Sequence, residues 1–217
     1  MGDENVEPAR AAGEAGHIER GLGRLEAFSD GVMAVIITIM AFGLKPPTEA
    51  TPAALAQRLP ELLVYALSFT YIGIYWNNHH HLLRSASRLS GAVMWTNLVL
   101  LFWLSLMPVL TSWLASDYRS SLPAATYGMV ALLSGVSYFL LVRALIAANG
   151  RESRLARAVE GDVKGVLSVV IYAVAVVGAF ITPWIAYGLY VTVSLMWVIP
   201  DPRLAGTRVR PGSGRSP

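Results

Sequence analysis

Asp30 and the run His79, His80, His81 are the side chains whose chemistry goes furthest beyond packing. A carboxylate and imidazoles can pass protons, bind a metal ion or pin helices together. Asp30 stands in "RLEAFSDGVMAVIITIM" (residues 24–40), about one turn inside an otherwise apolar run. An ionised carboxylate at that depth is costly unless it is paired. The histidines close "YWNNHHH" (75–81), which also carries Asn77 and Asn78, and a third polar group, "WTN", brings Trp95 and Asn97. Plausible partners for Asp30 are therefore His79, His80, Asn77, Asn78 and Asn97. Adjacent histidines on a helix point about 100° apart, so the triplet alone makes no tight metal site. Such a site would need Asp30 or a second subunit, and no metal or other cofactor is expected.

Other chemistry finds little support. The chain has no cysteine, which removes disulfides, thiolate catalysis and thiolate metal sites. It has no Ser–His–Asp order, phosphate-binding glycine loop or specific metal motif, so no enzyme is expected. A formal charge of +3 is too small to argue for nucleic acid.

The elements that carry these residues follow from composition. The chain of 217 residues is 54% hydrophobic and 14% charged, with a mean hydropathy of +0.51. A soluble domain usually carries about 25% charged residues, so the deficit points to a bilayer. Six apolar stretches approach the roughly 20 residues needed for a crossing. They are Leu25–Leu44, Leu59–Asn77, Val93–Leu114, Ala124–Ala147, Gly165–Ile181 and Trp184–Ile199. Thr182–Pro183 breaks the last two into a hairpin. An amphipathic "TPAALAQRLPE" leads into the second. Residues 1–21 are polar and Gly/Ala-rich and read as a disordered cytoplasmic tail. Residues 22–200 form the all-α transmembrane domain, and residues 201–217 a flexible basic tail.

Basic residues test this count. With six crossings, only Lys45, Arg58 and Arg119 fall on one side, and every other Lys or Arg falls on the other. The positive-inside bias then places both termini in the cytoplasm of a plasma-membrane protein. The mouth of the first helix (Arg24, Phe28, Ser29, Asp30), the end of the second and the start of the third thus meet at one height. Interfacial anchoring is the plainer role for Trp76, Trp95, Arg84 and Arg88, whereas the depth of Asp30 calls for an inter-helix or inter-subunit partner. None of the other spans has an acid or base near mid-bilayer, which argues against active transport. The competing reading is a proton- or ion-coupled secondary transporter that uses Asp30 and His79–His81.

Helical periodicity groups Gly31, Val35, Thr38 and Phe42 within a wedge of roughly 60°, flanked by Ile39. Met33, Ile36, Ile37 and Met40 cover the other faces. Small residues and a back-bonded threonine are ordinary in helix packing, so periodicity alone leaves this stripe open between packing and a pore wall.

Three motifs in order resemble one family. "RLEAFSD" is similar to the Arg-x-x-x-Phe-Ser-Asp signature of the first helix of the transmembrane protein 175 potassium channels. "IGIYWNNHH" resembles the family's second-helix end, and "WTNLVLLFWLSLMPVLT" its third helix. The resemblance spans about residues 22–200. It implies a homotetramer of six-helix subunits in a lipid bilayer, with each first helix lining a central potassium pore. It places an apolar constriction on Val35, a hydroxyl layer on Thr38 and outer apolar positions on Ile39 and Phe42. Val35 stands where members often carry Leu or Ile, which widens the ring, and Phe42 replaces a usual aliphatic. Arg24 and Asp30 would hold pore helices in register rather than coordinate ions.

Overall fold

A computed structural model describes residues 6–159 and 163–198. Every regular element among the described residues is a helix. The order is α1 (Val6–Phe42), α2 (Pro52–Gln57), α3 (Leu59–Arg84), α4 (Gly91–Ser105), α5 (Met107–Ser116), α6 (Ser121–Asn149), α7 (Arg154–Val159), α8 (Val163–Ala179) and α9 (Pro183–Val198). The expected C-terminal tail, 201–217, lies outside the described residues, as do residues 1–5. From Val6 onward the expected disordered tail is helix continuous with α1. Its alanines and glutamates are good helix formers, and Pro8 falls in the first turn, where a proline is tolerated.

Arg20–Phe42, Gly91–Ser116 and Ser121–Asn149 are long and apolar enough to cross a membrane. Val163–Ala179 and Pro183–Val198 are shorter apolar helices. With α3, they overlie the six stretches expected from sequence. At 1.5 Å per residue α3 is about 39 Å long, but Glu61, its tyrosines and its polar end dilute its hydropathy.

The breaks between elements have local causes. Thr51 caps α2 by accepting from the Ala54 amide at 3.2 Å, and Pro52 takes the first helical position. Ser90 caps α4 through the Val93 amide at 3.4 Å. Pro108 cannot donate into the ladder, so the third stretch kinks at Leu106. Leu106 keeps right-handed helical dihedrals, so α4 and α5 remain one bent rod. Thr182–Pro183 makes the expected hairpin. The Thr182 amide still reaches the Gly178 carbonyl at 3.0 Å before α9 begins.

The core lies around α6, which packs on α4, α8 and α9, while α1 packs on α3, α4 and α5. At Gly128 a Cβ would run into the Tyr190 hydroxyl, so α6 and α9 can approach only through a glycine. That hydroxyl donates to the Ala124 carbonyl at 2.8 Å. In the α3–α5–α6 interior, Thr111 donates to Ser68 at 2.8 Å, and the Ser68 and Tyr127 hydroxyls lie 3.1 Å apart. The buried face of α1 belongs to this core through Leu25, Met33, Ile36 and Met40.

Candidate functional site

Helix α1 presents two different faces. Met33, Ile36 and Met40 are almost completely buried against the chain's own helices. On the opposite face Arg24, Phe28, Gly31, Val35, Thr38, Ile39 and Phe42 are all exposed. Val35 is 56% exposed and Phe42 84%, so no helix among the described residues covers this stripe. The Thr38 hydroxyl donates to the Ala34 carbonyl at 2.8 Å. Its proton is thereby committed to the helix, and its oxygen lone pairs remain available on the exposed side.

The buried side of α1 is fastened by a directed hydrogen-bond chain. Ser29, His79 and Asn97 are all fully buried. Ser29 Oγ donates to the Leu25 carbonyl at 2.8 Å. With its proton spent, it accepts from Asn97 Nδ2 at 3.0 Å. Asn97 therefore turns Oδ1 to His79 Nε2, at 2.7 Å. This order requires the proton on Nε2 of His79 and leaves Nδ1 bare, and Nδ1 indeed meets no hydrogen-bond partner. Residues far apart in sequence, on α1, α3 and α4, thus meet at one level, as the expected topology required.

Asp30 is not part of this chain. It stands beside Glu26 and His80, with one ligand atom from each residue lying within 4.8 Å of the others. Glu26 Oε1 approaches His80 Nδ1 at 2.7 Å. The approach is not aligned with the ring as a hydrogen bond, so it is a charge contact when His80 is protonated. His80 also stacks on Trp76, with ring centroids 6.0 Å apart, and Arg84 Nη1 lies 3.5 Å from its Nε2.

The remaining expected members of the polar network are placed elsewhere. Arg24 and Phe28 lie on the exposed stripe, and Trp95 is 71% exposed on α4. Asn77 is exposed. Asn78 lines a cavity of about 50 Å³ with Tyr71, Tyr75, Tyr138, Tyr172 and Trp197. At about 100° per residue, neither asparagine can share the direction of His79. Two residues outside the expected polar network are structural or polar anchors. Glu26 is one, and its spacing of four from Asp30 was the available signal. Asn149 is the other, and nothing local marked it. Its Oδ1 accepts from the Ser87 amide at 2.7 Å, the Arg88 amide at 2.8 Å and the Ser87 hydroxyl at 3.0 Å. Its Nδ2 donates to the Leu145 carbonyl at 2.9 Å, so the α3–α4 connection is tied to the end of α6.

Several proteins of known kind are similar to this chain. A protein from Chryseobacterium sp. (strain P1-3), named a potassium channel, is 45% identical over 182 residues, 84% of this chain and 95% of its own length. The sequence pattern of the family described as endosomal/lysosomal potassium channel TMEM175 matches residues 24–108. The chain belongs to the TMEM175 family. The matched region runs from Arg24 to Pro108, so it contains the stripe and the Ser29–Asn97–His79 chain. A potassium channel from Streptomyces collinus (strain DSM 40733 / Tue 365) is 35% identical over 124 residues, 54% of this chain and 60% of its own length. The crystal structure of a lysosomal potassium-selective channel TMEM175 homolog from Chamaesiphon minutus superposes with a TM-score of 0.73 at 25% identity, covering 83% of this chain and 97% of that one.

Proposed function

We propose that the chain is a passive potassium channel of the plasma membrane, built as a homotetramer of six-crossing subunits with both termini cytoplasmic. The observation that carries this reading is the uncovered face of α1. A helix facing only lipid gains from bulky apolar residues along its whole outer side. This face instead runs from Gly31 through Val35 to Thr38 before Ile39 and Phe42, while its back is locked by Ser29. Relatives named potassium channels support assigning the face to a pore.

In a fourfold assembly each position of the stripe becomes a ring. Val35 and Ile39 make a narrow apolar neck that water leaves readily, so the pore gates by dewetting. Potassium gives up its hydration at lower cost than sodium, so a narrow neck favours it modestly. Thr38 returns part of that hydration, because its hydroxyl proton is held by Ala34 and its oxygen can face a cation. Phe42 narrows the outer mouth.

Flux from liposomes tests the reading. Potassium should leave down its own gradient with no proton gradient imposed, at rates that do not saturate like a carrier. A strict need for a proton gradient would favour the transporter reading built on Asp30 and the histidines. Substituting Thr38→Ala or Val35→Ala should change the potassium/sodium permeability ratio. Unchanged ratios in both would remove α1 from the selectivity path.

A further inference from the structure

The cluster of Glu26, Asp30 and His80 has no task in the conduction scheme. Its composition and geometry suit a different ligand. Two carboxylates spaced by four residues on α1 face one imidazole on α3, and the nearest approach is already 2.7 Å. An imidazole with two carboxylates is a donor set that suits zinc-like ions better than potassium or magnesium. Each of the three residues is partly buried, while Asp30 Oδ1 and His80 Nδ1 are themselves buried atoms, so the ligand atoms are sheltered.

A second observation is the concentration of orphaned polar atoms at this contact. Asp30 Oδ1, His79 Nδ1 and His80 Nδ1 are the buried side-chain polar atoms without a hydrogen-bond partner among the described residues. Such atoms are rare in folded proteins and call for an explanation, an ion being one of the usual ones. His79 is completely buried with a bare lone pair on Nδ1, and the carboxylates whose charges act on its ring are Asp30 and Glu26. The orphans thus centre on one junction of α1 and α3.

We propose that Glu26, Asp30 and His80 bind a divalent transition-metal ion of the zinc class, which ties α1 to α3. The ion would sit between Glu26 and Nδ1 of His80 and replace their direct 2.7 Å charge contact. Coordination through Nδ1 of His80 puts the ring proton on Nε2, and exposed Arg84, now at 3.5 Å from that nitrogen, moves aside. Three protein ligands leave a fourth position for water, so the site is exchangeable rather than a closed structural one. Because α1 carries the proposed pore stripe on its other side, an occupied site restrains that helix.

The test reads metal uptake and not conduction, so its outcome is independent of the channel assignment. Zinc is titrated calorimetrically into the purified, chelator-stripped protein, alongside Glu26→Gln, His80→Gln and His81→Gln. Uptake should saturate at one ion per chain. Losing a direct ligand should weaken it by at least the roughly 10–100-fold typical of losing an outer-shell partner, and His81→Gln should leave it unchanged. Cobalt(II) added to the wild-type chain gives a readout that needs no variant, because four- or five-coordinate N/O ligation produces intense visible bands. Absence of saturable zinc uptake, equal uptake by the Glu26 and His80 variants, or a cobalt spectrum identical to the aqueous ion would overturn the proposal.

Discussion

Replacing Asn97 by alanine probes the fastening of α1 most sharply. Asn97 is fully buried and joins α4 to both other helices, through His79 at 2.7 Å and Ser29 at 3.0 Å. The two ends do not suffer equally. Ser29 keeps its own bond to the Leu25 carbonyl and loses only a donor. His79 keeps a buried Nε2–H with nothing to accept it. An unsatisfied buried donor costs about 1–3 kcal/mol. Hydrogen bonds between membrane helices average about 0.6 kcal/mol and reach about 1.7. Asn97→Ala should therefore destabilise the subunit by about 2 kcal/mol, and Ser29→Ala, which in turn strands the buried Nδ2 donor of Asn97, should cost about 1–3 kcal/mol. Adding His79→Leu removes the stranded donor, so the Asn97→Ala/His79→Leu pair should cost less than the sum of its parts. Equilibrium unfolding in mixed detergent, followed by tryptophan fluorescence, measures all four variants against the wild type. An Asn97→Ala cost within about 0.5 kcal/mol of zero, the range of ordinary surface changes, would refute the reasoning. So would strictly additive costs for Asn97 and His79.

Other positions give independent checks. Gly128→Ala forces a Cβ into the Tyr190 hydroxyl and should destabilise by about 1–3 kcal/mol; Tyr190→Phe in the same chain should recover part of that loss in the same unfolding assay. Asn149→Ala frees the Ser87 and Arg88 amides from their shared acceptor, so amide exchange should accelerate across residues 85–90 and remain unchanged in α9. Thr111→Val breaks the Thr111–Ser68 bond inside the α3–α5–α6 interior and should lower thermal stability more than Thr192→Val, whose hydroxyl bonds only its own helix at the Gly188 carbonyl.

The parts of this fold legible in the sequence are those written in composition and proline. The apolar stretches, the break at Thr182–Pro183 and the common level of Ser29, His79 and Asn97 all follow from hydropathy, turn chemistry and charge bias. What stayed hidden depends on side-chain direction and on long-range partners. Depth singled out Asp30 as the residue needing a partner, yet its neighbour Ser29 makes the bond to Asn97, because a rotation of about 100° between successive residues decides which one faces α4. Trp95 and Asn97 sit two positions apart and point to opposite environments for the same reason. Asn149 binds a loop some sixty residues away, and no local pattern announces such a bond. The bend just before Pro108 was not anticipated, and the helical dihedral angles of Leu106 show it to be a bend and not a break. The exposed stripe of α1 was visible as a period, while its exposure depended on how α3, α4 and α5 cover the opposite face.

The central claim is that the uncovered face of α1 lines the ion path. The absence of cysteine from all 217 residues makes a direct measurement possible, since any introduced thiol is the sole target. Single substitutions Val35→Cys and Thr38→Cys, with Met33→Cys and Ile36→Cys as buried counterparts, are reconstituted in liposomes and treated with a water-soluble, charged thiol reagent during potassium flux. The account predicts block at Val35→Cys and Thr38→Cys, with Met33→Cys and Ile36→Cys unaffected. Block confined to the Met33 and Ile36 variants, or flux untouched in functional Val35 and Thr38 variants whose thiols are shown to be modified, would contradict it.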